Sequence, residues 1–600
     1  MHGNMPLDYR LYRLQVMGMT ANKSNEVVLP LVVAVTGHRD LVEAEIPAIR
    51  EQIVRLLLGL KDEYPATSLT ILSPLAEGAD TLVAEVALQL GLELIVPLPK
   101  SREEYLSDFN SEQSRQKFEQ LCAAASDVFE LDYIIPPTPA EFDRLDWQQS
   151  YPYAFLGTFL CAHCHILLAI WDGLESEKLG GTAQVVRFHH DDVMPGLTPE
   201  LAATQQMLVD DESDLVYHIP CSRLNPENGQ SSPFSLQDAC WYTKDEHAPR
   251  AKELPAQHKL IFQRSTEFSA DAIKYYDEIE SGKWSLLEEG KADSLPEAIK
   301  DIDKLYCVAD WLAIFYQQKT LRTLLVTHVM AFLMGFMFIL YTDFESLQIL
   351  LISFLGFFGI AVAAQFIAKR GAWHRKYLDY RTLAEGLRVQ LYWAAAGVTS
   401  ENKWKFAHDN YLQSQNAEFG WIRNVMRVAG LRADARPNQA SSGVRFSLDE
   451  WVGGPDWGQL GYFRRKAYER MKRYQLTERL GAMSLAISVA AVFSFLLFGS
   501  QMNELMEGLV TVTMGFFLLL FGVREGYTYA TATKELIKQY ENMLRIFENA
   551  HRRLTEAVSE EEQRLILSAL GQSALDEHSD WILMHRERSL DESEIWRMSS

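Results

Sequence analysis

The chain has 600 residues, which is too long for one domain and indicates about three or four. Its net charge of −23 argues against a nucleic-acid partner for the chain as a whole. The six cysteines are sparse and no secretory signal precedes them, so we expect reduced thiols in a cytoplasmic soluble part.

Strand and helix patterns alternate after a polar lead-in, residues 1–28. Short apolar runs typical of strands buried on both faces are Leu29–Val35, Leu69–Leu72, Leu92–Val96, Ile166–Ala169 and Leu215–Ile219. Amphipathic helical patterns separate them, one of them from about Glu103 to Ala125. The alternation predicts an α/β fold at the N-terminus, a Rossmann-like, doubly wound parallel sheet with helices on both faces.

Clusters of glycine, proline and charged residues come directly after these strands. They are Thr36–Asp40 (TGHRD), Ser73–Asp80 (SPLAEGAD), Pro97–Pro99 (PLP), Trp171–Gly173 (WDG) and Gly180–Ala183 (GGTA). In such sheets ligands bind at the carboxyl ends of the strands, where glycines let the backbone approach a phosphate and helix N-termini attract anions. Each cluster alone also fits a plain turn or a helix N-terminal charge. Together they predict a nucleotide-like ligand.

The predicted ligand-binding residues share this position at the strand ends. They are Thr36, Gly37, His38, Arg39, Glu77, Gly78, Ala79, Asp80, Pro97, Pro99, Trp171, Asp172, Gly173, Gly180, Gly181 and Thr182. We expect His38 and Arg39 to face a diphosphate, and Asp80 or Asp172 to accept hydrogen bonds from ribose hydroxyls.

These motifs resemble the SLOG superfamily, the Rossmann-like group that includes the Lonely Guy phosphoribohydrolases, DprA and the N-terminal domain of TRPM channels. TGHRD, GAD, PLP with the later Tyr105 and Asp108-Phe109, AIWDG and GGTA carry the resemblance, over about residues 29–225. It implies a nucleotide-derived ligand. Lonely Guy enzymes have a catalytic glutamate three residues after the threonine of the glycine motif, where this chain has Val185. The resemblance therefore implies binding rather than hydrolysis. The alternative is a hydrolase with Glu77 or Asp80 as acid or base.

Four stretches without Asp, Glu, Lys or Arg dominate the C-terminal half. They are Leu324–Tyr341, Leu347–Ala368, Leu480–Phe498 and Gly508–Val523. A helix of about 20 apolar residues crosses a hydrocarbon core of about 30 Å, and only the fourth stretch is slightly short. They predict an all-α membrane region with four transmembrane helices in two hairpins, joined to long cytoplasmic helices. The alternative is a pair of buried hairpins in a soluble protein.

Charges beside these stretches predict their orientation. The links within the pairs carry only acidic charges, Asp343, Glu345, Glu504 and Glu507, whereas the outer flanks are basic. Because basic flanks stay on the cytoplasmic side, we expect a bacterial inner membrane protein with both termini and the soluble parts in the cytoplasm. Between the pairs, Lys369–Arg479 carries 20 basic and 11 acidic residues, as expected beside an anionic leaflet.

The predicted chain segments follow from these patterns. They are the lead-in 1–28, a SLOG-like nucleotide-sensing domain 29–225, a helical connector 226–320, the first hairpin 321–370, a basic helical region 371–479, the second hairpin 480–523 and C-terminal helices 524–600. Long cytoplasmic helices are predicted over Trp373–Trp393, Arg464–Arg479 and Tyr529–Ala557, with a loop over Arg436–Gly461.

The membrane half resembles the SLATT group, two-helix membrane modules found beside SLOG domains in bacterial conflict systems. WGQLGYF and RTLAEGLRVQLYW carry this resemblance, together with the hairpins. The second hairpin departs from the single two-helix unit, so pore stoichiometry does not carry over.

Further patterns suggest other sites. Cys161–His165 (CAHCH) fits a haem attachment pattern and could hold a metal, but we interpret it as a packed helix. His189–Asp192 (HHDD) is interpreted as a solvated loop, and no metal site is predicted. For His328, within the first apolar stretch, functional and tolerated roles stay open. Small residues of the stretches are interpreted as serving helix packing: Gly335, Gly356, Gly359, Ala361 and Gly515.

The sequence thus predicts a ligand-gated membrane effector. Its partners would be the lipid bilayer, a nucleotide-derived messenger of the cyclic nucleotide or ADP-ribose type, and further copies of the chain, with no nucleic acid and no required cofactor. Messenger binding would assemble or open the membrane helices and disrupt the membrane, with an antiviral or abortive-infection outcome. The alternatives are a membrane-anchored hydrolase of nucleotides or NAD derivatives, and a structural or transport protein with a degenerate nucleotide fold.

Overall fold

The structure is a computed structural model that describes residues 28–131, 145–176, 178–194, 197–198, 214–225, 232–244, 249–287, 295–343, 347–398, 411–412 and 417–587. The chain divides into two compact units. Unit 1 contains Met1–Val308 and Gly386–Gly443, and unit 2 contains Ala309–Glu385 and Val444–Ser600. Except for residue 28, the predicted lead-in lies outside the described residues.

Unit 1 contains a mixed sheet of eight strands. They are β1 (Pro30–Gly37), β2 (Ser68–Leu72), β3 (Glu93–Leu98), β4 (Asp127–Glu130), β5 (Ile166–Trp171), β6 (Val216–Pro220), β7 (Cys240–Tyr242) and β8 (Arg250–Ala251). Their order is β4-β3-β2-β1-β5-β6-β7-β8. Strands β1 to β6 pair in parallel, whereas β7 and β8 pair antiparallel. The five predicted strands are all present, because their apolar runs fill the centre of the sheet, where both faces are covered.

The purely parallel sheet was a wrong prediction at one edge. The final predicted strand, Leu215–Ile219, corresponds to β6, but β7 and β8 extend the sheet beyond it. These two strands are short, and β4 is short and polar (DVFE), so none of them carries a recognisable apolar run.

Helices occupy most of the remaining described chain. They are α1 (Ile46–Glu63), α2 (Ala79–Gln89), α3 (Arg102–Leu106), α4 (Glu112–Ala124), α5 (Leu145–Ala162), α6 (Thr182–Asp191), α7 (Ala256–Lys274), α8 (Tyr276–Gly282), α9 (Glu297–Asp343), α10 (Gln348–Arg370), α11 (Trp373–Ala396), α12 (Gly420–Ala435), α13 (Ser441–Phe446), α14 (Gly458–Phe498), α15 (Glu504–Ala530), α16 (Thr533–Glu556) and α17 (Glu560–Glu587).

Several predicted boundaries were wrong for local reasons. The helix expected from about Glu103 to Ala125 is two helices, because the Ser111 hydroxyl accepts a hydrogen bond from the Ser114 N–H and begins α4 afresh. The helix expected over Tyr529–Ala557 breaks at Ala532, whose φ is 47°. The loop expected over Arg436–Gly461 contains α13 and a π-helical turn, Ser447–Val452.

Residues 386–443, which follow the first pair of apolar helices, complete the core of unit 1. Leu431 and Ala435 of α12 belong to the same buried cluster as Val32 of β1. The guanidinium of Arg432 donates to the carboxylates of Asp127 and Asp301, at 2.8 and 2.9 Å. Unit 1 therefore joins chain segments that the predicted list separates.

Unit 2 contains helices long and apolar enough to cross a membrane, in α9, α10, α14 and α15. The ring of His328 in α9 packs on Tyr527 in α15, and further along Phe332 packs on Phe516. The hydroxyl of Ser488 in α14 donates to the carbonyl oxygen of Met514 in α15. A Cβ on Gly481 in α14 would lie 3.5 Å from the side chain of Arg524 in α15. Helix α15 thus packs antiparallel to both α9 and α14.

Two of the predicted packing glycines lie at these helix contacts. A Cβ on Gly335 would lie 2.8 Å from the Leu519 side chain, and one on Gly515 would lie 2.9 Å from Ile339. No atom lies within 4 Å of a Cβ placed on Gly356 or Gly359, both in α10. Close packing by small residues is therefore confined to α9 and α15 among these four positions.

Replacing Gly515 by leucine is expected to destabilise unit 2, because the side chain would force α15 away from Ile339, an overpacking cost of about 1–3 kcal/mol. Gly356→Leu is the matched control, since it places the same side chain in open space. Thermal unfolding of the full chain in detergent should show a lower Tm for Gly515→Leu only. Equal decreases in Tm for the two variants would contradict a close contact between Gly515 and Ile339.

Candidate functional site

The predicted site clusters meet where the strand order reverses, at the carboxyl ends of β1 and β5. The backbone N–H of His38 donates to the Ile170 carbonyl oxygen at 3.0 Å, and the N–H of Ala79 donates to that of His38 at 3.1 Å. A Cβ on Gly37 would lie 2.3 Å from that of Ala79. Gly78, with φ of +85°, would place one 2.5 Å from the His38 carbonyl oxygen. Glycine at both positions lets the loops after β1 and β2 touch.

An exposed arginine covers the surface of this junction. The guanidinium carbon of Arg39 lies 5.6 Å from the ring centroid of Tyr153 in α5, and the Lys100 ammonium lies 4.9 Å from the same centroid. The carboxylate of Asp108 accepts hydrogen bonds from Lys100 and from the Tyr153 hydroxyl. Two cations with one carboxylate thus surround one aromatic ring, which favours an anionic ligand.

Asp80 lies beneath this surface. Asp80 is 5 % exposed, and its Oδ1 atom has no hydrogen-bond partner in the described part of the chain. Burial raises the pKa of Asp80 to about 7, although the charge of Arg39 and a hydrogen bond from the Ala76 backbone oppose the shift. A carboxyl group with this pKa can accept a hydrogen bond from a ligand hydroxyl or exchange a proton near neutral pH.

His38 and Asp172 form a second polar pair. The His38 Nε2 atom lies 3.1 Å from Asp172 Oδ1 and accepts a hydrogen bond from the Asp172 N–H at 3.1 Å in one tautomer. Burial acts to raise the pKa of Asp172, but hydrogen bonds from His38 and from the Leu174 N–H outweigh it and lower the pKa. Asp172 therefore stays ionised and holds His38 at the end of β1.

The glycine motif packs against Tyr153, whose ring also lies next to Arg39. A Cβ on Gly180 would lie 2.6 Å from the Ala154 nitrogen and 2.9 Å from the Tyr153 Cβ. Gly181 is the N-cap residue of α6, which begins at Thr182 and has no side-chain cap. Its first N–H groups are therefore left without a capping side chain next to the ring that Arg39 and Lys100 flank.

The other predicted residues contribute less directly. Thr36 is buried in β1, and Pro97 is buried within β3 rather than in a loop after it, with Pro99 just beyond. The Glu77 carboxylate accepts hydrogen bonds from Asn110, from its N–H at 3.1 Å and its side-chain amide at 2.8 Å. Glu77 thus holds a neighbouring loop.

Trp171 and Gly173 contact residues of β6 and of the chain that follows it. The Trp171 ring packs on His218 with centroids 5.6 Å apart, and a Cβ on Gly173 would lie 2.6 Å from the Phe234 ring. The structure therefore brings His38, Arg39, Asp80, Asp172 and the glycine motif together, while these two residues support the end of β5.

Sequence reasoning did not assign Lys100 and Tyr153 to the site. Lys100 directly follows the predicted PLP cluster, so its position was a usable signal. Tyr153 lies inside α5, where nothing in the local pattern distinguishes it from a core residue. Only the fold places it between two cations.

The remaining candidate sites are packed into unit 1. Helix α5 ends at Ala162, the His163 ring lies 3.1 Å from Asp434, and His165 accepts a hydrogen bond from the Val32 N–H. All six cysteines are buried free thiols. The HHDD loop was a wrong prediction: His189 is buried in the last turn of α6, because that face of the helix packs inward.

A small apolar cavity lies near the opposite end of β1. Leu29, Leu31, Tyr64, His165 and Phe262 are among its lining residues, and its volume is about 10 Å³. This volume holds at most one water molecule, so a nucleotide does not fit there.

Asp80→Asn is expected to stabilise the protein at neutral and alkaline pH. Because burial raises the Asp80 pKa from 3.8 to about 7, the native state loses stability as the pH rises between these values, by up to about 4 kcal/mol. The gain in Tm over wild type should grow from pH 5 to pH 8. The exposed Asp62, replaced by asparagine, is the control. A gain that is constant with pH would contradict the burial of a titrating carboxyl group.

Comparisons with known proteins leave the family open. A scan against protein-family models found no match, and searches of curated proteins and of solved structures found none either. The resemblance to the SLOG and SLATT groups stays a prediction, and the function rests on the geometry of the site.

Proposed function

We propose that this chain is a ligand-gated membrane effector whose unit 1 binds a nucleotide-derived messenger at the carboxyl ends of β1, β2, β3 and β5. One observation carries the proposal: an exposed Arg39 stands over a buried Asp80 that lacks a partner at Oδ1, at the point where the strand order reverses. In open parallel sheets this is the usual position of a nucleotide.

The chemistry of the site fits a diphosphate with a ribose. Arg39 and Lys100 would bind the phosphate oxygens, together with the first N–H groups of α6. Asp80 would accept a hydrogen bond from a ribose hydroxyl, which would supply the partner that Oδ1 lacks. Tyr153 offers a ring between the two cations.

The membrane part of the proposal follows from the four apolar helices and from the arrangement of the chain. Helices α9 and α11 each contain residues of both units, so a change in unit 1 has continuous helices along which to act. The proposed orientation keeps both termini and unit 1 in the cytoplasm, with the helices as two hairpins in the inner membrane. The messenger must bind the active arrangement more tightly than the resting one, and assembly of several copies would then disrupt the bilayer in antiviral defence.

A hydrolase is the second candidate, and the pKa of Asp80 favours it. A general acid or base works best with a pKa near the ambient pH, and Asp80 has one of about 7. Glu77 is less suited, since Asn110 occupies its carboxylate oxygens.

The test is a thermal-shift titration of the full chain in detergent with ADP-ribose, NAD and cyclic nucleotides. Ligand that binds only the native state raises the Tm by mass action. Arg39→Ala should abolish the shift or weaken binding by at least tenfold. Arg55→Ala is the matched control, because Arg55 is an exposed arginine on α1 whose ion pair with Glu51 lies away from the site.

The outcomes separate the candidates. A shift that Arg39→Ala removes and Arg55→Ala keeps, without loss of the compound, supports the sensor. Consumption of the compound, abolished by Asp80→Asn, supports the hydrolase. No shift with any compound, or the same shift in both arginine variants, would reject the site.

A further inference from the structure

Helix α14 packs against α16 near its start and against α15 within its apolar stretch, and its opposite side is exposed in both regions. Between these regions, residues 475–480 are exposed on all sides. Of its buried residues, Leu460, Ala467, Gly481, Ser484 and Ser488 lie on the packed side, and Gly461 is buried in the first turn. On that side Arg464 pairs with Glu548 of α16 at 2.9 Å, and Ser488 donates to Met514 of α15. The opposite face, here named the bare face, is exposed both before and within the apolar stretch.

The bare face changes from basic to apolar without a break in the helix. Lys472, Leu476, Arg479 and Met483 recur at intervals of three or four residues and share one side of the helix. Leu476 is 60 % exposed and Met483 is 59 % exposed. A helix surface of this kind is expected where a chain passes from water through a headgroup layer into hydrocarbon.

The cations on this face are unpaired. Lys472, Arg473 and Arg479 are exposed, and none of them has an ion-pair partner within the part of the chain that the structure describes. Earlier in the same helix, Arg464 pairs with Glu548, Lys466 pairs with Glu469 at 3.2 Å, and Arg465 donates to the Asp456 carbonyl oxygen. Positive charge without a side-chain or backbone partner therefore lies directly before the apolar stretch.

We propose that the bare face of α14 binds the headgroup of an anionic phospholipid. Lys472 and Arg479, with Arg473 beside them, contact the phosphate, and Met483, within the apolar stretch, contacts the acyl chains. Seven residues of helix separate Lys472 from Arg479, about 10 Å along the axis. This length exceeds the headgroup layer of one leaflet, about 5–8 Å, so Lys472 reaches a lipid phosphate by extending its long side chain along the helix toward the membrane. The lipid site does not depend on the messenger site in unit 1.

The test measures the Tm of the full chain in a neutral detergent during titration with dioleoylphosphatidylglycerol or with dioleoylphosphatidylcholine. The anionic lipid should raise the Tm more than the zwitterionic lipid, and 0.5 M salt should reduce the difference because it screens the charges. The triple variant Lys472→Gln, Arg473→Gln, Arg479→Gln should need at least tenfold more phosphatidylglycerol for the same shift.

The matched control is Arg464→Gln, Arg465→Gln, Lys466→Gln, which removes the same charge from an earlier part of the same helix, where these side chains already have partners within the protein. This control variant should keep the wild-type increase in Tm with phosphatidylglycerol, even if its Tm without lipid differs from that of the wild type. Equal increases in Tm with the two lipids would overturn the proposal. So would an equal weakening of the response to phosphatidylglycerol in the two triple variants. Inorganic phosphate that reproduces the wild-type shift would also overturn it, since the site would then bind free anions rather than lipid.

Discussion

The end of β1 has no room for a side chain, and the whole candidate site depends on that restriction. Gly37 lies against Ala79 on one side and Ile170 on the other, so the loops after β1 and β2 and the end of β5 meet directly. This contact brings Arg39, Asp80 and Asp172 to one edge of the sheet from three different parts of the chain. A larger residue at the end of β1 would separate the groups that any ligand there must contact.

Electrostatics then divides the site into two layers. The cations Arg39 and Lys100 lie in the outer layer around Tyr153, while Asp80 lies below them with its charge disfavoured by burial. A carboxyl group kept near its neutral form does not cancel the positive layer above it. Burial of this carboxyl group lowers the stability of the protein at neutral pH, and shifted pKa values of this kind are common at functional sites.

We could predict the central strands, the four apolar helices and the strand-end clusters, because a local sequence pattern identifies each of them. Continuous Val, Ile and Leu runs identify β1 and β5, and uncharged stretches of membrane length identify parts of α9 and α14. The edge strands β7 and β8 escaped prediction because two or three residues carry no periodicity. Tyr153 and the role of α12 escaped because they depend on contacts between residues far apart in sequence, which no local pattern encodes.

The return of residues 386–443 to unit 1 sets the order in which the protein can be made. A ribosome completes the strands of the sheet, then α9 and α10, and only afterwards α12, whose Leu431 and Ala435 close the core. The core of unit 1 therefore stays incomplete until α9 and α10 have been synthesised. Completion of the core of unit 1 thus follows synthesis of α9 and α10, and a chain truncated before residue 420 lacks part of that core.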